Sequence, residues 1–176
     1  MSPQTPYTAD LGDREPLSTI ADTLTQVRAL VSRWSDADFE RSYAPGKWTA
    51  RQILIHLAQT EIALGNRARM ALASPNYAAQ SFDQDAWMNR EVGGSGGDGK
   101  SGGSDLPPTV SARAAVDAVT ALGEMNRALF ASLSASDRQT PFSHPEYGAL
   151  TVDWLIHQIA GHGIHHLKQL ETIATR

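Results

Sequence analysis

The sequence predicts an all-α fold, a four-helix bundle in which one connection is a long crossover. Apolar residues recur at helical spacing along four long stretches. No stretch alternates clearly between apolar and polar residues, as a half-buried strand would. The 176 residues, of which 41% are hydrophobic, suffice for one packed core. We therefore expect residues 1–176 to form a single four-helix bundle domain.

The first two helices begin at recognisable start signals. Pro16 suits the first turn of a helix, and the helical spacing of apolar residues continues through residues 16–34. The second helix starts after Thr49, which has the spacing of a capping box with Gln52. It should continue to about residue 73, where a proline follows closely.

The long crossover follows the second helix and contains only one short predicted helix, residues 82–91. Residues 93–105, GGSGGDGKSGGSD, hold half of the chain's 14 glycines. We expect a flexible Gly-rich loop there, because ordering glycine costs backbone entropy and this segment buries almost no apolar surface in return.

Residues 94–101 of that loop match the phosphate-binding pattern GxxxxGK[ST]. The pattern binds phosphate when a buried strand precedes the loop and a helix begins at the Lys-Ser pair. Here a helix-like segment precedes the loop, and Pro107 and Pro108 follow it. We interpret the match as a coincidence in a Gly-rich segment and expect no nucleotide site.

The third and fourth long helices complete the bundle. The third should span residues 111–133. A turn-rich segment follows, residues 134–150, and the fourth helix, residues 152–174, is capped by Thr151.

Charge and cysteine content exclude several classes of function. With 15 basic and 19 acidic residues, the chain has no electrostatic footprint for nucleic acid or an anionic membrane. No apolar run approaches the ~20 residues that cross a membrane, and the first fifteen residues lack a hydrophobic stretch. We expect a cytoplasmic protein. Because the chain has no cysteine, a metal site would need His, Asp or Glu.

Four of the six histidines lie on the last helix, and helix geometry separates them. At about 100° per residue, His162 and His166 lie one turn apart in the apolar sector, so both should face the core. His157 falls in the sector of charged residues and should face solvent, while His165 lies near the boundary. On the second helix, His56 shares its sector with apolar residues and should also face the interior.

The three inward histidines indicate a metal site. Imidazoles one turn apart can each offer a ring nitrogen to one cation, and His56 is the best candidate for a third ligand. Without a common partner, each unsatisfied ring nitrogen would cost ~1–3 kcal/mol. Three His ligands leave positions open for water or substrate, as in catalytic sites. The residues do not choose among zinc, nickel, iron and manganese, and three separately hydrogen-bonded histidines are the alternative.

Three segments carry a resemblance to a known family. They are residues 45–57 (PGKWTARQILIHL), 144–151 (HPEYGALT) and 162–169 (HGIHHLKQ). In this order and position they resemble the DinB/YfiT-like superfamily of metal-dependent enzymes. The resemblance implies a four-helix bundle whose metal is held by one His on the second helix and a His-x-x-x-His pair on the last. These positions are His56, His162 and His166.

The resemblance also implies a class of chemistry, although no catalytic residue is assigned. The superfamily includes enzymes that resemble thiol S-transferases and a mycothiol-dependent isomerase, and many members are regarded as hydrolases. We expect the metal to activate water or a low-molecular-weight thiol. Thiol transfer is slightly favoured, because the sequence shows no base for hydrolysis. Glu61 lies roughly 140° from His56 around the second helix and is left out of the site.

The expected partners are a small-molecule substrate and a second copy of the chain, since DinB-like proteins tend to form homodimers. The alternative to an enzyme is a non-catalytic, stress-related bundle in which the metal stabilises the fold. An open channel to the metal would favour catalysis, whereas a site sealed by side chains would favour the structural role.

Overall fold

The computed structural model describes residues 2–92 and 110–176. The Gly-rich segment 93–105, with its phosphate-loop match, lies outside the described residues. The elements in chain order are α1 (Thr8–Leu11), α2 (Pro16–Val31), α3 (Asp36–Phe39), α4 (Ala50–Ala73), α5 (Gln84–Glu91), α6 (Ala112–Ser132), α7 (Ala135–Arg138), β1 (Pro141–His144), β2 (Gly148–Thr151) and α8 (Val152–Ala174).

The four long helices α2, α4, α6 and α8 form a bundle, which confirms the predicted fold class. Helix α4 packs against α6 and α8, and α2 packs against the same two helices. Within the described residues, α2 and α4 therefore lie at opposite corners, as do α6 and α8. Residues 32–49 link the first pair of opposite corners. The core fills the space between the helices, and its largest fully buried side chains include Phe39, Phe130 and Leu155.

The predicted helix starts are confirmed by the caps. Pro16 occupies the first turn of α2, where the side chain of Glu15 accepts hydrogen bonds from two backbone amides. Thr49 and Gln52 form the predicted capping box of α4, and Thr151 caps α8. Helix α2 ends at Val31 rather than at residue 34, whereas the bounds of α8 are those predicted. None of the described helices is long and apolar enough to cross a membrane.

The β1–β2 hairpin and the short helices α1, α3 and α7 are absent from the sequence prediction. Strands β1 and β2 pair antiparallel within the segment predicted as turns, and Gly148 permits the turn with its positive φ of 71°. Near the N-terminus, α1 packs against α8. This close approach needs Gly161, because a Cβ there would lie 2.5 Å from the carbonyl oxygen of Tyr7.

Glu61 lies in a polar cluster between α4 and α6, away from the three inward histidines. Nδ2 of Asn126 donates to Oε2 of Glu61 over 2.7 Å, and Nη1 of Arg69 donates to Oδ1 of Asn126 over 2.6 Å. Burial raises the pKa of Glu61 to about 7, and the hydrogen bond from Asn126 opposes this shift. The carboxyl group is thus a titrating group inside the fold.

We expect Glu61→Gln to flatten the pH dependence of stability. The pKa of Glu61 is near 4.5 when the chain is unfolded and about 7 when it is folded. The wild type should therefore lose stability as pH rises through this window, by about 3 kcal/mol in total. The Gln side chain still accepts from Asn126 but cannot ionise. Urea unfolding at about pH 5 and about pH 8 would measure the difference, and an equal pH dependence in both proteins would contradict it.

Candidate metal centre

Three buried imidazoles converge between α4 and α8. Nε2 of His162 lies 3.0 Å from Nε2 of His56 and 2.9 Å from Nε2 of His166. One ring nitrogen of each residue lies within 4.8 Å of the other two. The structure thus brings together the three histidines that the sequence selects, while their binding of a metal stays a prediction.

The ring nitrogens fit a cation better than they fit a hydrogen-bond chain. Nε2 of His162 faces two other ring nitrogens, but it carries one proton or one lone pair and can satisfy only one of these contacts well. One cation could accept a lone pair from all three rings. Metal–nitrogen bonds of about 2.0–2.1 Å place ligand nitrogens about 3.0–3.4 Å apart, close to the two observed separations.

Burial keeps the three imidazoles neutral, which is the form that binds metals. Desolvation is the largest cause, and repulsion from neighbouring imidazoles acts in the same direction. Together they lower the pKa of His56 to about 3 and that of His166 to about 4. The pKa of His162 is held well below its usual value of 6.5 for the same reasons. Their lone pairs are therefore free at neutral pH.

Neighbouring side chains fix the ring orientations. Nδ1 of His166 donates to Oε1 of Gln169 over 2.8 Å, which leaves Nε2 of that ring without a proton. The ring centroid of Trp48 lies 4.9 Å from that of His56. Tyr7 packs edge-on against His162, with a centroid distance of 5.0 Å. The cluster is therefore held rigidly before any ion binds.

We expect Gln169→Leu to weaken metal binding while the protein still folds. Leucine cannot accept the Nδ1 proton of His166, so the ring loses both its anchor and its preference for a free Nε2. Loss of such a partner typically costs about 10–100-fold in metal affinity. Competition with a chromophoric chelator would measure the change, with the exposed Gln26 replaced by Leu as control. An affinity equal to that of the wild type would refute the assigned role.

A cavity of about 250 Å³ reaches the cluster. His56 and His162 line it, together with residues from the N-terminal segment and the β1–β2 hairpin. Two of the three clustered imidazoles therefore face open space. This arrangement is typical of a catalytic metal site rather than of a closed structural one.

Most of the chain matches a known protein family. Residues 19–170 match the family model described as the DinB superfamily. The chain belongs to this superfamily.

Individual DinB-like relatives span most of this chain. A protein of Oceanobacillus iheyensis is 25% identical over 162 residues, which cover 92% of this chain and 86% of the relative. A protein of Halalkalibacterium halodurans is 21% identical over 152 residues, which cover 86% and 80%. Both are named "Putative metal-dependent hydrolase".

Among solved structures, the chain is similar to YfiT from Bacillus subtilis. The TM-score is 0.74 at 19% identity, and the match covers 92% of this chain and 85% of YfiT. YfiT is described as a probable metal-dependent hydrolase with an unusual four-helix bundle topology. At this identity the likeness establishes the shared fold.

Two histidines of this DinB chain lie outside the cluster on α8. His157 is only 13% exposed at its side chain, and its Nδ1 lies 2.9 Å from the carbonyl oxygen of Asp153. Its predicted solvent position is therefore wrong, because α7 packs on α8 and Arg138 pairs with Asp153 there. His165 is 40% exposed, and its Nδ1 lies 3.2 Å from Oδ2 of Asp10.

The hairpin supplies two polar side chains that sequence reasoning does not place in the site. His144 ends β1, and both His144 and Glu146 line the cavity. Nδ1 of His144 accepts from the backbone amide of Glu146 over 3.2 Å, so the proton of the neutral ring is on Nε2. Burial, followed by the charge of Arg67, lowers the pKa of His144. In the sequence this region is marked only by the 144–151 segment, and its turn residues do not show where the hairpin packs.

Proposed function

We propose that this DinB-superfamily protein is a metal-dependent hydrolase that acts on a small substrate in the cavity beside His56 and His162. The observation that carries the proposal is the open side of the histidine cluster, where two ligand rings line a cavity of about 250 Å³. The names of the relatives support hydrolysis. A sealed cluster would instead have favoured the non-catalytic bundle.

The metal and the hairpin divide the chemistry between them. His56, His162 and His166 would hold the divalent ion, whether zinc, nickel, iron or manganese, and the bound ion would supply a nucleophile by lowering the pKa of water. We assign Glu146 the role of proton acceptor, because its carboxylate is exposed and lines the same cavity. His144 donates a hydrogen bond from Nε2 to the substrate oxygen on which negative charge develops.

Glu146 also changes the balance between hydrolysis and thiol transfer. The sequence favours transfer slightly because it shows no base, whereas the fold brings a carboxylate into the cavity. Hydrolysis is therefore the proposal, and transfer of a low-molecular-weight thiol is the competing outcome of the experiment. Homodimer formation and a cytoplasmic location stay predictions.

We expect Glu146→Gln to lower the rate of hydrolysis by about 10²-fold or more while metal content is unchanged. The amide keeps the shape of the side chain but cannot accept the proton. The assay would offer esters, amides and phosphoesters to the metal-loaded protein, with and without added thiol. The exposed Glu124 on α6, replaced by Gln, is the control.

The nature of the product separates the candidate functions. Hydrolysis without thiol, with oxygen from labelled water in the product, would support the proposal. A thioether that forms only when thiol is added would replace hydrolysis with transfer. No turnover in any panel, together with a metal closed to water exchange, would favour the non-catalytic bundle.

A further inference from the structure

Arg67 on α4 carries a buried positive charge that forms no ion pair with any described residue. Arg67 is only 8% exposed, and its Nη2 donates to the carbonyl oxygen of Gln80 over 2.7 Å. Throughout residues 2–92 and 110–176, no carboxylate forms an ion pair with it. A buried charge is unfavourable unless an opposite charge or several hydrogen bonds compensate it. The fold thus holds a cation that no described carboxylate pairs with directly.

Arg67 lines the cavity that His56 and His162 also line, and it lines a second cavity of about 410 Å³ beside Gln80. Two further polar atoms of the cavity residues are buried and make no hydrogen bond to any described residue. They are Oγ1 of Thr60, in a residue only 6% exposed, and Oε1 of Gln158. Buried polar groups are almost always satisfied in folded proteins. The Thr60 hydroxyl and the guanidinium can both donate to an acceptor oxygen of a ligand, whereas Oε1 of Gln158 needs a donor such as water.

The charges around the cavity determine the sign of that ligand. Arg67 is the only Lys or Arg among the described residues that line it. Glu146 lines it too and attracts Arg67 from a distance, but its side chain is exposed and forms no ion pair with a residue that the structure describes. Burial, followed by the charge of Arg67, lowers the pKa of His144 on the hairpin and so favours its neutral form. The unbalanced buried charge is therefore positive.

We propose that Arg67 binds an oxyanion, a carboxylate or a phosphate, and that this anchor makes small anionic molecules the substrate class of the site. A guanidinium presents parallel N–H donors that match the paired oxygens of such a group. The word substrate rests on the proposed hydrolase function, whereas the binding of the anion does not depend on turnover.

The direct test uses the wild-type chain, both zinc-loaded and metal-free. Propionate, inorganic phosphate and uncharged propionamide would be titrated in turn, and binding would be followed by calorimetry and by the Nε–H resonance of Arg67. We expect an anion to bind and to shift this resonance in both forms of the protein, and propionamide to do neither. The stronger of the two anions identifies a carboxylate or a phosphate ligand. If neither anion binds more tightly than propionamide, the proposal is overturned.

Variants separate the charge of Arg67 from its packing. Arg67→Met should weaken anion binding by about tenfold or more, and Arg67→Lys, which keeps the charge but not the paired donors, by less. The exposed Arg28 on α2, replaced by Gln, should leave it unchanged. If Arg67→Met does not fold, the anion affinity of Arg67→Lys and the comparison with propionamide still test whether Arg67 binds the anion. Wild-type affinity in a folded Arg67→Met protein would refute the anchor.

The two proposals can fail separately. Anion binding at Arg67 without hydrolysis would contradict the proposed function alone. Hydrolysis of neutral and anionic esters with the same KM, unchanged in Arg67→Met, would contradict the anchor alone.

Discussion

Replacing His162 with alanine is expected to abolish stoichiometric metal binding. Its Nε2 lies 2.9 and 3.0 Å from those of the other two rings, so its loss leaves two ligands without their central member. Removal of a residue that only orients a ligand typically costs about 10–100-fold in metal affinity. We expect removal of His162 itself to cost more. His166→Ala and His56→Ala should act in the same way. Elemental analysis of dialysed protein would measure the metal that remains.

His157→Ala is the matched control for these variants. It lies on the same helix, is largely buried, and bonds to Asp153 rather than to the cluster. Its metal content should equal that of the wild type. Full metal content in both His162→Ala and His166→Ala would show that the cluster is not the metal site.

Gly161→Ala is expected to destabilise the fold and to displace the N-terminal segment from α8. The new Cβ would lie 2.5 Å from the carbonyl oxygen and 2.8 Å from the Cβ of Tyr7. Overpacking of this kind lowers folding stability by about 1–3 kcal/mol. The higher helix propensity of alanine over glycine raises it by about 1 kcal/mol. We expect a net loss of stability, because the backbone of the N-terminal segment has to move to make room for the new Cβ. That movement would also take Tyr7 off the edge of His162.

Gly163→Ala provides the comparison on the same helix. There the nearest atom to a new Cβ is a methyl carbon of Thr23 at 3.1 Å, which can shift by a few tenths of an ångström. Its stability should fall less than that of Gly161→Ala, or rise. Urea unfolding would rank the two variants, and the reverse order would contradict the contact with Tyr7.

The sequence predicts the long helices well because their ends carry local signals. Pro16, the Thr49–Gln52 pair and Thr151 each act within a few residues of chain, so no knowledge of the tertiary structure is needed. The inward direction of His162 and His166 follows from helix periodicity in the same way. These two kinds of signal suffice for the bundle and for the choice of the three clustered histidines.

The hairpin and α1 carry no such signal. In β1 only Phe142 and His144 are buried, which is too short a pattern to distinguish a strand from a turn. In α1 only Leu11 is buried. Their positions depend on packing against elements far away in the chain, and Glu146 reaches the cavity only through that packing. The cavity and its polar lining therefore emerge from the fold and not from the motif.

The corner arrangement of the long helices bears on how fast this chain folds. In a bundle whose consecutive helices are neighbours, each helical hairpin can form by closing a short loop. Here only α4 and α6 are both consecutive and packed together, whereas α2 must pair with α6 and α8. Most contacts between long helices thus join remote parts of the chain, and such contacts slow folding because more chain entropy is lost before they form. We expect the α4–α6 pair to form the folding nucleus. Stopped-flow refolding would then show that destabilising variants at the α4–α6 interface slow folding rather than speed unfolding.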